Sequence, residues 1–180
     1  DDVRAIVSKI MQPPGFPVKF EEIDAKFKFV PMCKEGCTIN NIFILPVELS
    51  HPNGGLGYKF IENGKTFVFL TDNELGYIHP GGRNFDDYVA FSKDADILVC
   101  DADYNDEEYK YRKTWGHSTY LQALDLAIKS NVGELYLFHH NQDRTDREID
   151  KTVSICNKIL KSKNLKTKCL AAKEGMEVKI

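Results

Sequence analysis

Four side chains able to bind a metal or carry a proton stand just after apolar runs in this sequence. They are His51 after Val47-Glu-Leu49, Asp72 after the run ending at Leu70, Asp101 after 97–100, and His139 after 135–138. A rigid sheet holds such groups at fixed separations while the loops around them vary, so the pattern predicts four strand ends pointing to one rim. Imidazoles and carboxylates with no thiolate nearby suit zinc, iron or manganese with a position open for water, rather than a closed structural zinc site. The residues lie too far apart to form a short motif, and each has an ordinary reading as well. His51 is also a loop histidine before Pro52-Asn-Gly-Gly55. Asp72 is also a turn aspartate in Thr71-Asp-Asn-Glu74, where a carboxylate bonds nearby backbone. His139 competes with His140, because successive side chains on a strand face opposite ways and one of the two can look into the site.

A fifth candidate sits in Trp115-Gly-His-Ser-Thr119. His117 comes immediately before a helix expected over 118–131, where free amides and the positive end of the dipole favour an anion such as phosphate. An imidazole there can bond a phosphate oxygen or deliver a proton to a leaving group. The plainer reading is capping by Ser118 or Thr119, with His117 a bystander. Two other clusters offer less. Cys33 and Cys37 lack the two further ligands a zinc finger needs nearby and read as a reduced turn. The segment 104–111, with Asp106, Glu107 and Glu108, lacks the ligand spacing and central glycine of a calcium loop. It reads as the solvated start of a helix near the site entrance.

The elements that must position these groups follow from periodicity. Val3, Ile6, Val7 and Ile10 share a helix face, which Pro13-Pro14 ends. A strand, a turn at 33–37 and a second strand at 42–47 come next, then a hairpin of 56–61 and 66–70 closed by Asn63-Gly64. A loop over 73–85 leads to a short helix at 86–91 and a buried strand at 97–100. The helix over 118–131 ends at Gly133, and a strand follows at 135–138. The capping box Thr145-Asp-Arg-Glu148 opens another helix, and a strand pair at 168–171 and 177–180 closes the chain. Strands alternating with helices after an initial hairpin imply a layered α/β domain spanning 1–180, without repeat or linker.

Composition bounds the partners. With 42% hydrophobic residues the chain has material for a core, and 24 basic against 27 acidic residues give a net charge of -3. No global positive field draws in nucleic acid or anionic membrane, so an anionic ligand must be held locally. No apolar run approaches the roughly 20 residues of a membrane span, and Asp1-Asp-Val-Arg4 lacks the order of a signal peptide. Five scattered cysteines predict reduced thiols, hence a soluble cytoplasmic protein with no membrane partner. Asp1 in place of Met suggests that the sequence starts part-way along a gene product.

Taken in order, His51-Pro-Asn-Gly-Gly-Leu-Gly-Tyr58, Thr71-Asp-Asn-Glu74, Ala95-Asp-Ile-Leu-Val-Cys-Asp101-Ala-Asp-Tyr104, Trp115-Gly-His-Ser-Thr119 and Leu137-Phe-His-His140 resemble the second half of a metallo-β-lactamase-fold hydrolase. Within that superfamily they are most similar to the phosphodiesterase-like branch related to RNase Z. The resemblance implies the C-terminal half of an αββα sandwich, a mixed sheet with helices packed on one face. It makes His51 a metal ligand, Asp72 the catalytic carboxylate bridging two metals, and His139 a ligand of the second metal. His117 matches the phosphate-contacting or proton-donating histidine, and Asp101 a supporting group rather than a ligand. The implied cofactors are two divalent ions (zinc, iron or manganese), and the implied reaction is hydrolysis of a phosphodiester or related anionic ester by a water shared between them. The superfamily's His-x-His-x-Asp-His motif is absent, since no two of the histidines at 51, 79, 117, 139 and 140 are separated by one residue. Three accounts fit: a longer parent chain, a separate fragment or partner chain completing the sandwich, or a degenerate half-domain. Two other functions are compatible with the same scaffold: a diiron redox or oxygen-binding protein, and a noncatalytic module whose exposed sheet pairs with a partner or, as a homodimer, with a second copy.

Overall fold

A computed structural model describes residues 3–30 and 34–180. Two compact units divide the chain, Asp1–Met32 and Cys33–Ile180. In the first, helix α1 (Val3–Ile10) forms where the apolar spacing predicts it, and the ring of Phe20 packs against Phe27 and Phe29 at 4.7 and 6.0 Å. The expected turn at 33–37 involves Cys33, which lies outside the described residues.

The second unit is built on a seven-stranded sheet in sequential order. Strands β1 (Cys37–Ile39), β2 (Ile42–Glu48), β3 (Leu56–Glu62) and β4 (Lys65–Leu70) are antiparallel neighbours. The β3–β4 hairpin turns on Asn63 and Gly64, both with positive φ (49° and 76°), as a tight two-residue turn between right-twisted strands requires. From β4 onward the pairing is parallel, through β5 (Ile97–Asp101), β6 (Glu134–Phe138) and β7 (Lys168–Ala171). Each parallel step needs a crossover. Helix α2 (Phe85–Ser92) links β4 to β5, α3 (Asp106–Arg112) and α4 (Tyr120–Lys129) link β5 to β6, and α5 (Asp146–Ser162) links β6 to β7.

Alternation along the strands divides the sheet into two faces. Val68, Leu70, Leu98, Cys100, Leu135 and Leu137 turn toward the helices and join Ala123, Leu126, Cys156 and Leu160 in the main core. Ile97, Val99 and Tyr136 turn the other way, beside Phe67, Phe69 and Leu170, on a face that carries no helix within this unit. The expectation of a mixed sheet with helices on one face therefore holds. Leu135 is completely buried in the core, so Leu135→Ala is expected to lower the unfolding free energy by about 2–5 kcal/mol, read from urea denaturation.

Two expected strands are absent. The strand expected before the turn at 33–37 does not form: Phe20–Glu22 is a short 3-10 turn and 23–30 is irregular, with the Phe20, Phe27 and Phe29 rings packed on one another in place of a pleated edge. The alternating Glu177-Val-Lys-Ile180 reads as a strand partner for β7, yet the sheet ends at β7. A turn closed by Met176 N–H donating to Lys173 O, with Gly175 at φ 69°, carries the tail off the edge. Ile180 lies instead on the helix-free face, lining a groove of about 530 Å³ with Ile42, Phe60 and Phe67. Period-two patterning says which residues share a face but not whether a neighbouring strand edge is within reach. No helix among the described residues is long and apolar enough to cross a membrane.

Candidate active site

The parallel register sets the level of the rim. Leu70 pairs with Cys100, Cys100 with Leu137, and Asp101 with Phe138, so 71–72, 101 and 138–139 emerge together at the C-terminal edge of the sheet. His51 follows β2 by a short loop, and His117 stands before α4. Asp72 and His139 both adopt left-handed backbone, at φ 56° and 54°. Residues with a Cβ enter that region at a cost, and two such bends, at the ends of β4 and β6 on either side of β5, bring the two side chains together.

Candidate ligand atoms of His51, Asp72 and His117 lie within 4.8 Å of one another, and so do those of Asp101, His117 and His139. His139 Nε2 is 3.5 Å from Asp72 Oδ1, and its ring stacks on that of His117 with centroids 4.4 Å apart. The four residues named from sequence, His51, Asp72, His117 and His139, therefore share one rim. His140 does not face it: its Nε2 is buried without a hydrogen bond, and burial together with the Arg144 charge lowers its pKa.

Asp101 is fully buried beneath this rim and accepts four hydrogen bonds. Oδ2 takes His117 Nδ1 at 2.8 Å and Asp72 N at 3.1 Å, while Oδ1 takes Ser118 N at 3.0 Å and Asp103 N at 3.3 Å. An ionised carboxylate only accepts, so the Nδ1 of His117 is the donor and its Nε2 is left for the rim. That bond raises the His117 pKa, with burial opposing it, and burial raises the Asp101 carboxyl against the same bond. Its lone pairs spent on four donors, Asp101 is a poor ligand and a good anchor.

Sequence reasoning missed a second buried carboxylate. Glu74 accepts from His79 Nε2 (2.8 Å), the Tyr109 hydroxyl (2.7 Å), Thr114 N (2.7 Å) and Gly116 N (2.9 Å). Burial pushes its pKa up, and these donors outweigh that and bring it below the usual value. The cluster ties the loop at 114–117 to the loop after β4. Gly116, at φ 99°, is pressed so close to the neighbouring imidazole that a Cβ there would sit 2.4 Å from His51 Cδ2. Asp103 was also missed, although Asp101-Ala-Asp103 places two carboxylates on one face of an extended segment, a legible signal. Asp103 Oδ2 lies 3.5 Å from His139 Nδ1, and its Oδ1 accepts from Asn141 Nδ2 at 2.9 Å.

The helix-terminus reading needs correction. Thr119 is the cap, exchanging bonds with Gln122 (3.1 and 3.0 Å), while Ser118 N is spent on Asp101 and Tyr120 N on Tyr104 O. The amides at the start of α4 are thus largely committed, and what the segment offers an anion is the imidazole of His117.

No family model matches the chain. Ribonuclease Z of Exiguobacterium sibiricum is 30% identical over 163 residues, covering 82% of this chain and 54% of that protein. Ribonuclease Z of Thermoplasma acidophilum is 31% identical over 144 residues, covering 76% and 44%. Among solved structures, the metallo-β-lactamase fold protein YhfI of Bacillus subtilis superposes with a TM-score of 0.65 at 19% identity, over 83% of this chain and 54% of that one. The chain is a metallo-β-lactamase-fold protein of the ribonuclease Z-like branch. It spans about half the length of these relatives.

In this metallo-β-lactamase-fold chain the rim residues have donor capacity to spare. His139 keeps Nδ1 toward Asp103 and turns Nε2 toward Asp72 Oδ1, 3.5 Å away, and His51 Nδ1 takes only a long 3.4 Å bond from Asn53 N. Asp72 has a half-exposed carboxylate whose one hydrogen bond comes from the Thr71 hydroxyl, at 2.8 Å. Imidazole nitrogens and a carboxylate with unspent lone pairs, facing one space, fit a divalent transition-metal ion.

Proposed function

We propose that the chain supplies one side of a metal-dependent phosphodiesterase site. The observation that carries this reading is the convergence of His51, Asp72, His117 and His139 over the buried Asp101, and the ribonucleases Z among its relatives support it. His51, Asp72 and His139 would hold two divalent ions of zinc, iron or manganese. The remaining ligands come from a further segment or a partner chain, because the histidine-rich motif is not among these residues. The ions, when bound, would acidify a water and offset charge building on the phosphoryl oxygens. The chain's own residues do the rest. His117 Nε2 faces the ester and protonates the leaving oxygen. Asp101 fixes the ring's tautomer and stabilises its protonated form. The 3.5 Å approach of Asp103 orients His139 from behind.

Metal analysis of the purified protein, paired with turnover of bis(p-nitrophenyl) phosphate, tests this. Bound metal lost in His139→Ala, together with turnover abolished by a chelator and restored by zinc or manganese, is the expected result. Protein that takes up no metal overturns the proposal, while an oxygen-sensitive visible band from bound iron without turnover favours the redox alternative.

Proton competition gives a further prediction. Asp103 raises the His139 pKa to about 9, against the opposing effect of burial. The metal-free ring is thus protonated at neutral pH, and a metal must displace that proton. Zinc affinity, measured by chelator competition, should rise up to tenfold per pH unit from pH 7 and level off near pH 9.

A further inference from the structure

The loop between α3 and α4 carries side chains that hydrolysis does not use. Trp115, the single tryptophan, is 61% exposed and adjoins Gly116, whose backbone abuts the His51 ring. The guanidinium carbon of Arg112 is 5.2 Å from the centroid of the Tyr104 ring and 6.0 Å from that of Trp115. Tyr104 in turn stands edge-on to His117 at 6.1 Å. On the same loop Lys113 Nζ lies 6.0 Å from the half-exposed Tyr77 ring. Rings and cations from the end of α3, the loop after it and the segments around Tyr77 and Tyr104 thus gather beside the rim, and Glu74 pins that loop through Thr114 N and Gly116 N.

An exposed indole flanked by a guanidinium offers a flat π surface next to positive charge, and the net charge of -3 means this attraction is local. The complementary ligand has flat rings joined by anions. We propose that Trp115, with Arg112 beside it, is a base-stacking subsite for single-stranded nucleic acid, seating a nucleobase beside the phosphate presented to His117. This rests on the phosphodiesterase reading of the rim. An acidic peptide would satisfy the cations but leaves the exposed indole without a matching face.

The test is binding by the full chain in a chelator, without metal or turnover, so that failure of the hydrolytic reading and failure of this one are separable. An oligoadenylate RNA of about ten nucleotides should quench the single tryptophan's fluorescence saturably. An abasic oligonucleotide of equal length should bind more weakly and leave the fluorescence unchanged. Trp115→Ala should weaken binding of the labelled RNA roughly 5- to 100-fold by anisotropy, and Trp115→Phe should recover most of that loss. The ring is exposed, so truncation removes little packing, and circular dichroism verifies the fold. Absence of saturable binding, equal binding of the abasic strand or of an acidic peptide, or a phenylalanine variant as weak as the alanine one would each overturn the proposal.

Discussion

Glu74→Gln is expected to lower the unfolding free energy by roughly 3–5 kcal/mol, although it changes neither size nor shape. The carboxylate accepts four hydrogen bonds in a fully buried position. Each oxygen serves one backbone amide, Thr114 N on Oε1 and Gly116 N on Oε2. An amide side chain must point its NH2 group at one of these N–H donors, leaving it without an acceptor, and it also removes the charge that strengthens the other bonds. Urea denaturation at pH 7 reads the loss. The pH dependence adds a signature. Because the folded pKa lies below the ordinary 4.5, the ionised group's stabilisation is fully present above pH 4.5 and is lost as pH falls through the folded value. The glutamine variant should lack that acid-linked component.

His117→Ala is expected to cut phosphodiester turnover by about 10²–10⁴-fold in the metal-loaded enzyme, the range of a positioned general acid. The penalty should shrink for a substrate whose leaving group departs without protonation, such as p-nitrophenolate. Zinc affinity separates the roles. His117 lies close enough to His51 and Asp72 to be read as a ligand, so an unchanged affinity in the variant supports proton donation, and a large loss makes it a ligand instead. Asp101→Asn should reproduce much of the turnover defect. Its amide group must face a donor, whether His117 Nδ1, Asp72 N, Ser118 N or Asp103 N, and the imidazole loses its fixed orientation.

Much of this site was legible in the sequence because its parts are tied to strand ends. Apolar runs at 97–100 and 135–138 announce buried strands, and whatever follows them must emerge at the sheet edge, as Asp101 and His139 do. The hairpin announced itself through Asn63-Gly64 in the same way. What stayed hidden depends on contacts between segments far apart in the chain. Glu74 sits in a stretch that reads as solvated loop, and only the fold brings Tyr109, Thr114 and Gly116 onto it. The committed amides of α4 were invisible because their partners, Asp101 and Tyr104, lie on another element. The unformed strand at 177–180 is the opposite case, a correct local pattern with no edge to join.

The tight seat of Gly116 under the His51 ring bears on which cations can enter. Backbone, not a movable side chain, packs against that imidazole, so any side chain at 116 would push the His51 ring out of its place. Calcium asks for six to eight oxygens at about 2.3–2.6 Å in a yielding shell, whereas zinc accepts nitrogen donors near 2.0–2.1 Å. The imidazoles and carboxylate gathered at the rim match the second of these shells, and a residue without a side chain is what leaves the His51 ring its place among them.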